Sequence, residues 1–323
     1  MMLNNFLTKW ILFISICMAL SSNFWFALWM SLEVNMLIFI PMMNSKNFLS
    51  SNSMINYYII QSVASSIFFF SSLLYPYMNN NNMIMCIIMM TILIKLGSAP
   101  FHSWFPQISE GLKMNSFFIL STFQKIIPLH IMSIVYNKYL YIFIFLSAMI
   151  SSLGGLNQFS MKKILAFSSI THLSWMMSLI LINQNFWLIY FFVYTIINYK
   201  IINFLMLNKI SNINNIYLMK MTFFNKVLML SYFLSLGGMP PFLGFFSKWI
   251  SIILISKKMI ILLIILIMSS LINLFFYIRI MFPLIMNINV LMKNSIKFIN
   301  LSKKFFILNF LGIFLFSPLI MNI

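Results

Sequence analysis

Apolar runs of about 20 residues, the length a helix needs to cross a hydrocarbon core about 30 Å thick, recur along the whole chain. Only short Asn-, Ser- and Lys-rich breaks, such as NSKNFLSSNS, NNNN at 79 to 82 and NKISNINN, separate them. The pattern predicts an all-α polytopic membrane protein with about 11 transmembrane helices. The expected spans are 8 to 21, 24 to 43, 56 to 75, 83 to 104, 115 to 135, 139 to 157, 161 to 182, 185 to 207, 225 to 255, 259 to 282 and 304 to 321. The ninth is too long for one straight helix. No stretch is long and polar enough for a soluble domain, in keeping with 62% hydrophobic and 7% charged residues.

Twenty basic residues against two acidic ones give a formal net charge of +18. In a soluble protein that would suggest nucleic acid, but no basic stripe with interleaved aromatics occurs in any loop, so no nucleic-acid partner is expected. The basic residues read instead as membrane topology. With the spans above, loops on the amino-terminal side hold Lys9, Lys46, Lys113, Lys162, Lys163, Lys209, Lys220, Lys226, Lys293, Lys297, Lys303 and Lys304, and the opposite side holds Lys138, Lys257 and Lys258. The positive-inside rule then places the amino terminus inside and the carboxyl terminus outside.

Cys17 and Cys86 fall in apolar segments with no metal-ligand spacing, and GxGxxG, GxxxxGK[ST] and GxSxG patterns are absent. No metal or cofactor site is expected in this chain. The start, with Lys9 and an apolar run to Leu20, has the layout of a signal peptide, but the next span follows at once and a first transmembrane helix is the preferred reading. No Arg-rich transit peptide is apparent.

Lys95, Lys125, Lys200, Lys248 and Arg279 remain in the membrane, with Glu33 as the carboxylate clearly inside a span. An ionised side chain at the bilayer centre costs about 2.5 to 3.5 kcal/mol on the mildest scale, so several of these need a reason. Glu33 (SLEVN) is near the middle of span two, Lys95 and His102 flank a break in LIKLGSAPFHSWF, and Lys125 lies three residues before Pro128. Burial disfavours a charged pair while proximity favours it, so distance or hydration can move a proton between them. A structural ion pair holding helices together is the alternative. Gly97 and Pro100 weaken the helical ladder, and freed carbonyls can hold water beside Lys95.

SLGGMPPFLGFFSKW, 235 to 249, repeats the theme with Lys248 beyond its break. Two Gly/Pro-interrupted spans in the two halves are the sequence pointer to a transporter's paired broken helices. His172 lies mid-span among Ser168, Ser169 and Thr171, as a relay position or as a satisfied interhelical hydrogen bond. His130 could extend the Lys125 site. Lys200 and Arg279 are expected to snorkel to the inner ends of their spans, and Glu110 to be interfacial.

These residues, in WMSLEVNMLIFIP, LIKLGSAPFHSWFPQISEGL, TFQKIIPL, LGGLNQFSMKKILAFSSITHLSWM and LSLGGMPPFLGFFSKW, resemble the NADH dehydrogenase subunit 2 family of animal mitochondria. These are antiporter-like membrane subunits of respiratory complex I, and the resemblance runs over nearly the whole chain. It implies two inverted five-helix repeats, about 1-158 and 159-282, and a terminal helix at about 304-321. It implies that Glu33 and Lys95 are a paired carboxylate and broken-helix lysine, Lys125 the central lysine, Lys248 the lysine near the exit, and His172 the family's SSIxH position. The expected activity is proton translocation across the mitochondrial inner membrane. NADH, FMN, iron-sulfur clusters and ubiquinone would belong to other subunits. The partners would be lipids and other membrane subunits of the complex rather than further copies of this chain. Synthesis inside the organelle would agree with the missing transit peptide. Lys200 and the Asn-rich 208 to 226 connector depart from the family pattern. A free-standing cation/proton antiporter and a purely structural membrane subunit are the competing readings.

Overall fold

In the computed structural model, residues 2–45, 47–77, 81–135, 137–182, 185–218, 223–286 and 309 are described. They form helices and no strand; a single β-bridge pairs Ser160 with Asn212. The helices are α1 (Met2–Ser21), α2 (Trp25–Met43), α3 (Phe48–Leu74), α4 (Asn81–Leu96), α5 (Trp104–Gly111), α6 (Met114–Ser121) and α7 (Phe123–Val135). Then come α8 (Leu140–Leu156), α9 (Met161–Ile182), α10 (Phe186–Leu207), α11 (Ile213–Leu218), α12 (Phe223–Gly237), α13 (Leu243–Ser256) and α14 (Ile260–Met286). The chain divides into two compact units, Met1–Ser147 and Ala148–Ile323. The terminal span expected at 304 to 321 falls outside the described residues except for Asn309.

The surface is built for lipid. Phe13, Phe70, Ile261 and Phe275 are each more than half exposed, a liability in water and a requirement beside acyl chains. The inward faces, by contrast, are rich in small and polar residues. Along α3 the buried positions include Ser50, Ser53, Tyr57, Gln61, Ala64, Ser65, Phe68, Ser71 and Ser72, at helical spacing. Ser53, Ser65 and Ser71 satisfy their hydroxyls on carbonyls three residues back, at 2.8 to 2.9 Å. Small inward residues let the helix backbones approach closely, which is how helices associate when lipid removes the hydrophobic drive.

In the first unit α3 packs against α2, α4 and α5, while α7 packs against α1, α2, α4 and α6. In the second, α9 is the central element: it is buried from Met161 almost without interruption to Ile180 and packs against α10, α13 and α14. Gly154 lies where a Cβ would meet the Phe167 ring at 2.6 Å, so α8 and α9 touch at a residue without a side chain.

The expected spans differ from these helices at several places, among them the connector after span eight, where α11 forms. The stretch NFLSSNS, read as part of a turn, opens α3, because Ser50 and Ser53 bond carbonyls of their own first turn and support the helix. Span four stops at Leu96 and resumes as the eight-residue α5. Span five is interrupted at Thr122 (φ −124°, ψ −82°), whose hydroxyl donates to Phe118 O at 2.6 Å; this i−4 bond from a threonine bends helices. Lys226, placed in a loop by the sequence, is buried in the first turn of α12.

Candidate functional site

Both interrupted helices end by the same local chemistry. At the end of α4, Gly97 has φ +67°, its N–H bonds Ile94 O at 3.1 Å, and Ser98 N–H bonds Leu93 O at 3.2 Å. At the end of α12, Gly238 has φ +75°, its N–H bonds Ser235 O at 3.1 Å, and Met239 N–H bonds Leu234 O at 3.1 Å. This paired closure needs a residue in the left-handed region, where only glycine is free of Cβ strain. The prolines follow, Ala99-Pro100 and Pro240-Pro241, both cis.

In the first unit, Lys95 and Lys125 line one small cavity together with Tyr57, Gln61, Trp104, Phe105 and Gln124. It holds about 10 Å³ of room for the centre of a water, enough for about one molecule. Both lysines are almost fully buried, at 7% and 2% exposure. Lys125 Nζ stands 4.7 Å from the centre of the Phe105 ring, whose face attracts a cation. The carbonyls that end α4 do not point free into this space, contrary to the expectation of hydrated carbonyls. Leu93 O takes Ser98 Oγ at 3.3 Å, Ile94 O takes Trp104 Nε1 at 3.1 Å and Lys95 O takes Gln61 Nε2 at 3.4 Å.

Glu33 lies beside the buried face of α2, half-buried, and does not line the cavity. It forms no ion pair with Lys95 within 4.0 Å among the described residues. The direct link between α2 and the lysine helix is made instead by neutral groups that the sequence reading had passed over. Tyr57 OH donates to Gln124 Oε1 at 3.1 Å, and Gln124 Nε2 donates to Asn35 Oδ1 at 3.1 Å and Asn35 O at 3.4 Å. Gln124 is the neighbour of Lys125, and Asn35 is two residues beyond Glu33 on α2. The signal was present as isolated amides and a phenol inside apolar spans, with Tyr57 and Gln61 one turn apart on α3. His130 sits half-buried on another face of α7 and does not line the cavity.

In the second unit, Lys248 on α13 reaches back across the break, and its Nζ donates to Gly237 O at 2.8 Å. The aliphatic stem crosses Gly238 so closely that a Cβ there would stand 2.6 Å from Lys248 Cδ. The half-helices are held even closer at Gly244, where a Cβ would fall 1.6 Å from Ser235 O. Asn309 also joins them, accepting from Leu243 N–H and donating to Ser231 O, each at 3.4 Å.

His172 is buried on α9 with Nδ1 2.8 Å from the Tyr190 hydroxyl and the Tyr194 ring 5.1 Å away. Asn198 Nδ2 extends this group to Tyr194 OH at 3.2 Å. The two tyrosines were not singled out by sequence; their one-turn spacing on α10 was the available sign. Arg279 does not snorkel. It turns inward to Leu156 O and to Gln158 O, the latter at 2.6 Å, and closes the carboxyl end of α8. Lys200 stands 5.6 Å from the Tyr199 ring, and Glu110 is exposed at the end of α5. Among the described residues no three His, Cys, Asp or Glu side chains gather in a way that could hold a metal ion.

Residues 22–274 match the family model described as NADH:quinone oxidoreductase/Mrp antiporter, TM. The NADH-ubiquinone oxidoreductase chain 2 of Anopheles gambiae is 40% identical over 281 residues, covering 83% of this chain and 82% of that protein. The protein of the same name from Aedes aegypti is 44% identical over 280 residues, with 83% and 82% covered. A chain of the respiratory complex I structure from Thermus thermophilus with bound Aureothin shares the fold at a TM-score of 0.80 and 18% identity, covering 87% of this chain and 70% of that one.

Proposed function

We infer, from the premise that this chain belongs to the NADH:quinone oxidoreductase/Mrp antiporter transmembrane family and, within it, to the NADH-ubiquinone oxidoreductase chain 2 branch, that it works as a core membrane subunit of respiratory complex I. It is part of a proton-translocating NADH:ubiquinone oxidoreductase, and its partners are the other membrane subunits of that complex. The reading extends to its place, the mitochondrial inner membrane, with the amino terminus on the matrix side; the excess of lysine in alternate loops supports this orientation. NADH, FMN, iron-sulfur clusters and ubiquinone are assigned to other subunits.

The chain's own share is proton movement on buried amines. The carrying observation is that Lys95 and Lys125 face one water-sized cavity, beside α4 carbonyls that neutral donors occupy. A water in that cavity can exchange protons with either amine. Approach of the Glu33 carboxylate favours the Lys95 ammonium, and its withdrawal releases the proton toward the cavity. Lys125 takes it up beside Phe105. In the second unit His172 and Lys248 are the corresponding stations. The two helix breaks belong, in this reading, to two repeats, 1-158 and 159-282, each closed by a left-handed glycine.

Lys125→Met removes the amine and keeps the length and the apolar fit. In inner-membrane vesicles the complex is expected to assemble, judged by native gel, while NADH-driven proton uptake and quinone reduction fall together severalfold. Normal uptake and turnover in the assembled variant would return Lys125 to a structural role.

A further inference from the structure

The second unit contains a buried polar pair that the relay reading does not use. Asn273 and Tyr277 lie one turn apart on α14, at 4% and 1% exposure. Asn273 Nδ2 donates to Thr171 Oγ1 on α9, but Asn273 Oδ1 and the Tyr277 hydroxyl meet no hydrogen-bond partner among the described residues. A buried polar atom left unpaired costs about 1 to 3 kcal/mol, and native proteins commonly satisfy such atoms with an enclosed water.

The surroundings of Tyr277 give the pair a direction. Its hydroxyl stands beside Ser168 without reaching hydrogen-bond geometry, and it is an electrostatic neighbour of Tyr190, the phenol bonded to His172. Its ring packs on Phe233, 5.9 Å between centres, and lies 3.6 Å from where a Cβ on Gly237 would stand. Gly237 is the residue whose carbonyl receives Lys248. Tyr277 therefore packs against the Lys248 break and lies beside Ser168, one helical turn before His172 on α9.

We propose that Asn273 and Tyr277 hold a buried water that links the His172–Tyr190 pair to the break at Lys248, a site that rests on the relay reading above for its purpose but not for its existence. The chemistry of the partners fits one water. Asn273 Oδ1 accepts one of its hydrogens. Ser168 Oγ, whose own proton is committed to Leu165 O at 2.9 Å, keeps lone pairs for the other. The Tyr277 hydroxyl donates to the water. When a proton arrives, the water carries three hydrogens, the Tyr277 hydroxyl turns its own proton toward Tyr190, its oxygen accepts the third hydrogen from the water, and the phenol's original proton moves on. Each oxygen is neutral before and after, and one proton enters for each that leaves.

A cryo-electron microscopy map of the native complex, at a resolution that shows ordered water, is expected to contain a peak within hydrogen-bond reach of both Asn273 Oδ1 and the Tyr277 hydroxyl. Direct bonding of both atoms to protein groups, with no peak between them, would overturn the site. Tyr277→Phe keeps the ring against Gly237 and removes only the hydroxyl. It is expected to assemble and to lose proton uptake and quinone reduction severalfold, with Asn273→Leu acting in the same direction. Wild-type uptake in assembled Tyr277→Phe complex would refute the link, and if that variant does not assemble the map alone decides. Normal uptake in Lys248→Met with the water peak in place would remove the relay reading and leave the water site standing.

Discussion

The two breaks close their first half-helix identically and then use their lysines in opposite ways. At Gly97 three of the carbonyls that end α4 are occupied by Ser98, Trp104 and Gln61, and Lys95 faces a cavity that Lys125 also lines. At Gly238 no such set of neutral donors serves Gly237 O; Lys248 itself supplies the hydrogen bond. One lysine site is backed by a satisfied scaffold, while the other is part of its scaffold. The difference teaches that a broken helix does not by itself define an amine's role. What matters is which group pays the debt of the terminal carbonyls.

That comparison can be broken most severely at the close contact in the second unit. Gly244→Ala puts a methyl into the Ser235 carbonyl, which is backbone and cannot rotate away. Loss of the assembled complex on a native gel is expected, and normal assembly would mean the half-helices are not held at this distance. Next in size, Lys248→Met should lower both the amount of assembled complex and its proton uptake, since Gly237 O loses its donor at a cost of about 1 to 3 kcal/mol. Lys125→Met should lower uptake with assembly intact; equal assembly for the two variants would erase the contrast. Gln124→Leu cuts the bonds to Tyr57 and Asn35 and is expected to reduce uptake less than Lys125→Met does. Gln124→Glu, which keeps the acceptor for Tyr57, should recover part of the loss, and no difference between Leu and Glu would make the bridge mere packing. The smallest change is expected for Ser98→Ala, because the Ser98 N–H still serves Leu93 O when the hydroxyl is gone. A large loss of uptake there would show that the hydroxyl acts on the lysine cavity directly.

Much of this arrangement was legible in the chain before folding. Length and apolarity located most of the helices, and the Gly/Pro pairs at 97 to 100 and 237 to 241 located the breaks, because both signals act locally. The burial of Lys95, Lys125 and Lys248 followed from charges standing where lipid would refuse them. What could not be read was partnership. Gln124 is bound to Tyr57 and Asn35, residues 67 and 89 positions away, and no local rule selects those among the other amides and phenols. The interruption at Thr122 was hidden for a different reason: a threonine in a helix either back-bonds or does not, and no local signal says which. Arg279 was misread because a long cation near a span's end satisfies itself equally well on headgroups or on the carbonyls of α8, and only the packed structure distinguishes the two.

The contact at Gly244 reaches beyond stability. Two half-helices touching backbone to backbone make a joint without slack, and such a joint cannot swing to expose Lys248 first to one side of the membrane and then to the other. In the proposed relay, access would then alternate through smaller parts: the rotation of an amine, the turn of a phenol, the arrival or departure of single waters. The second unit is thereby closer to a valve wetted and dried in place than to a gate on a hinge.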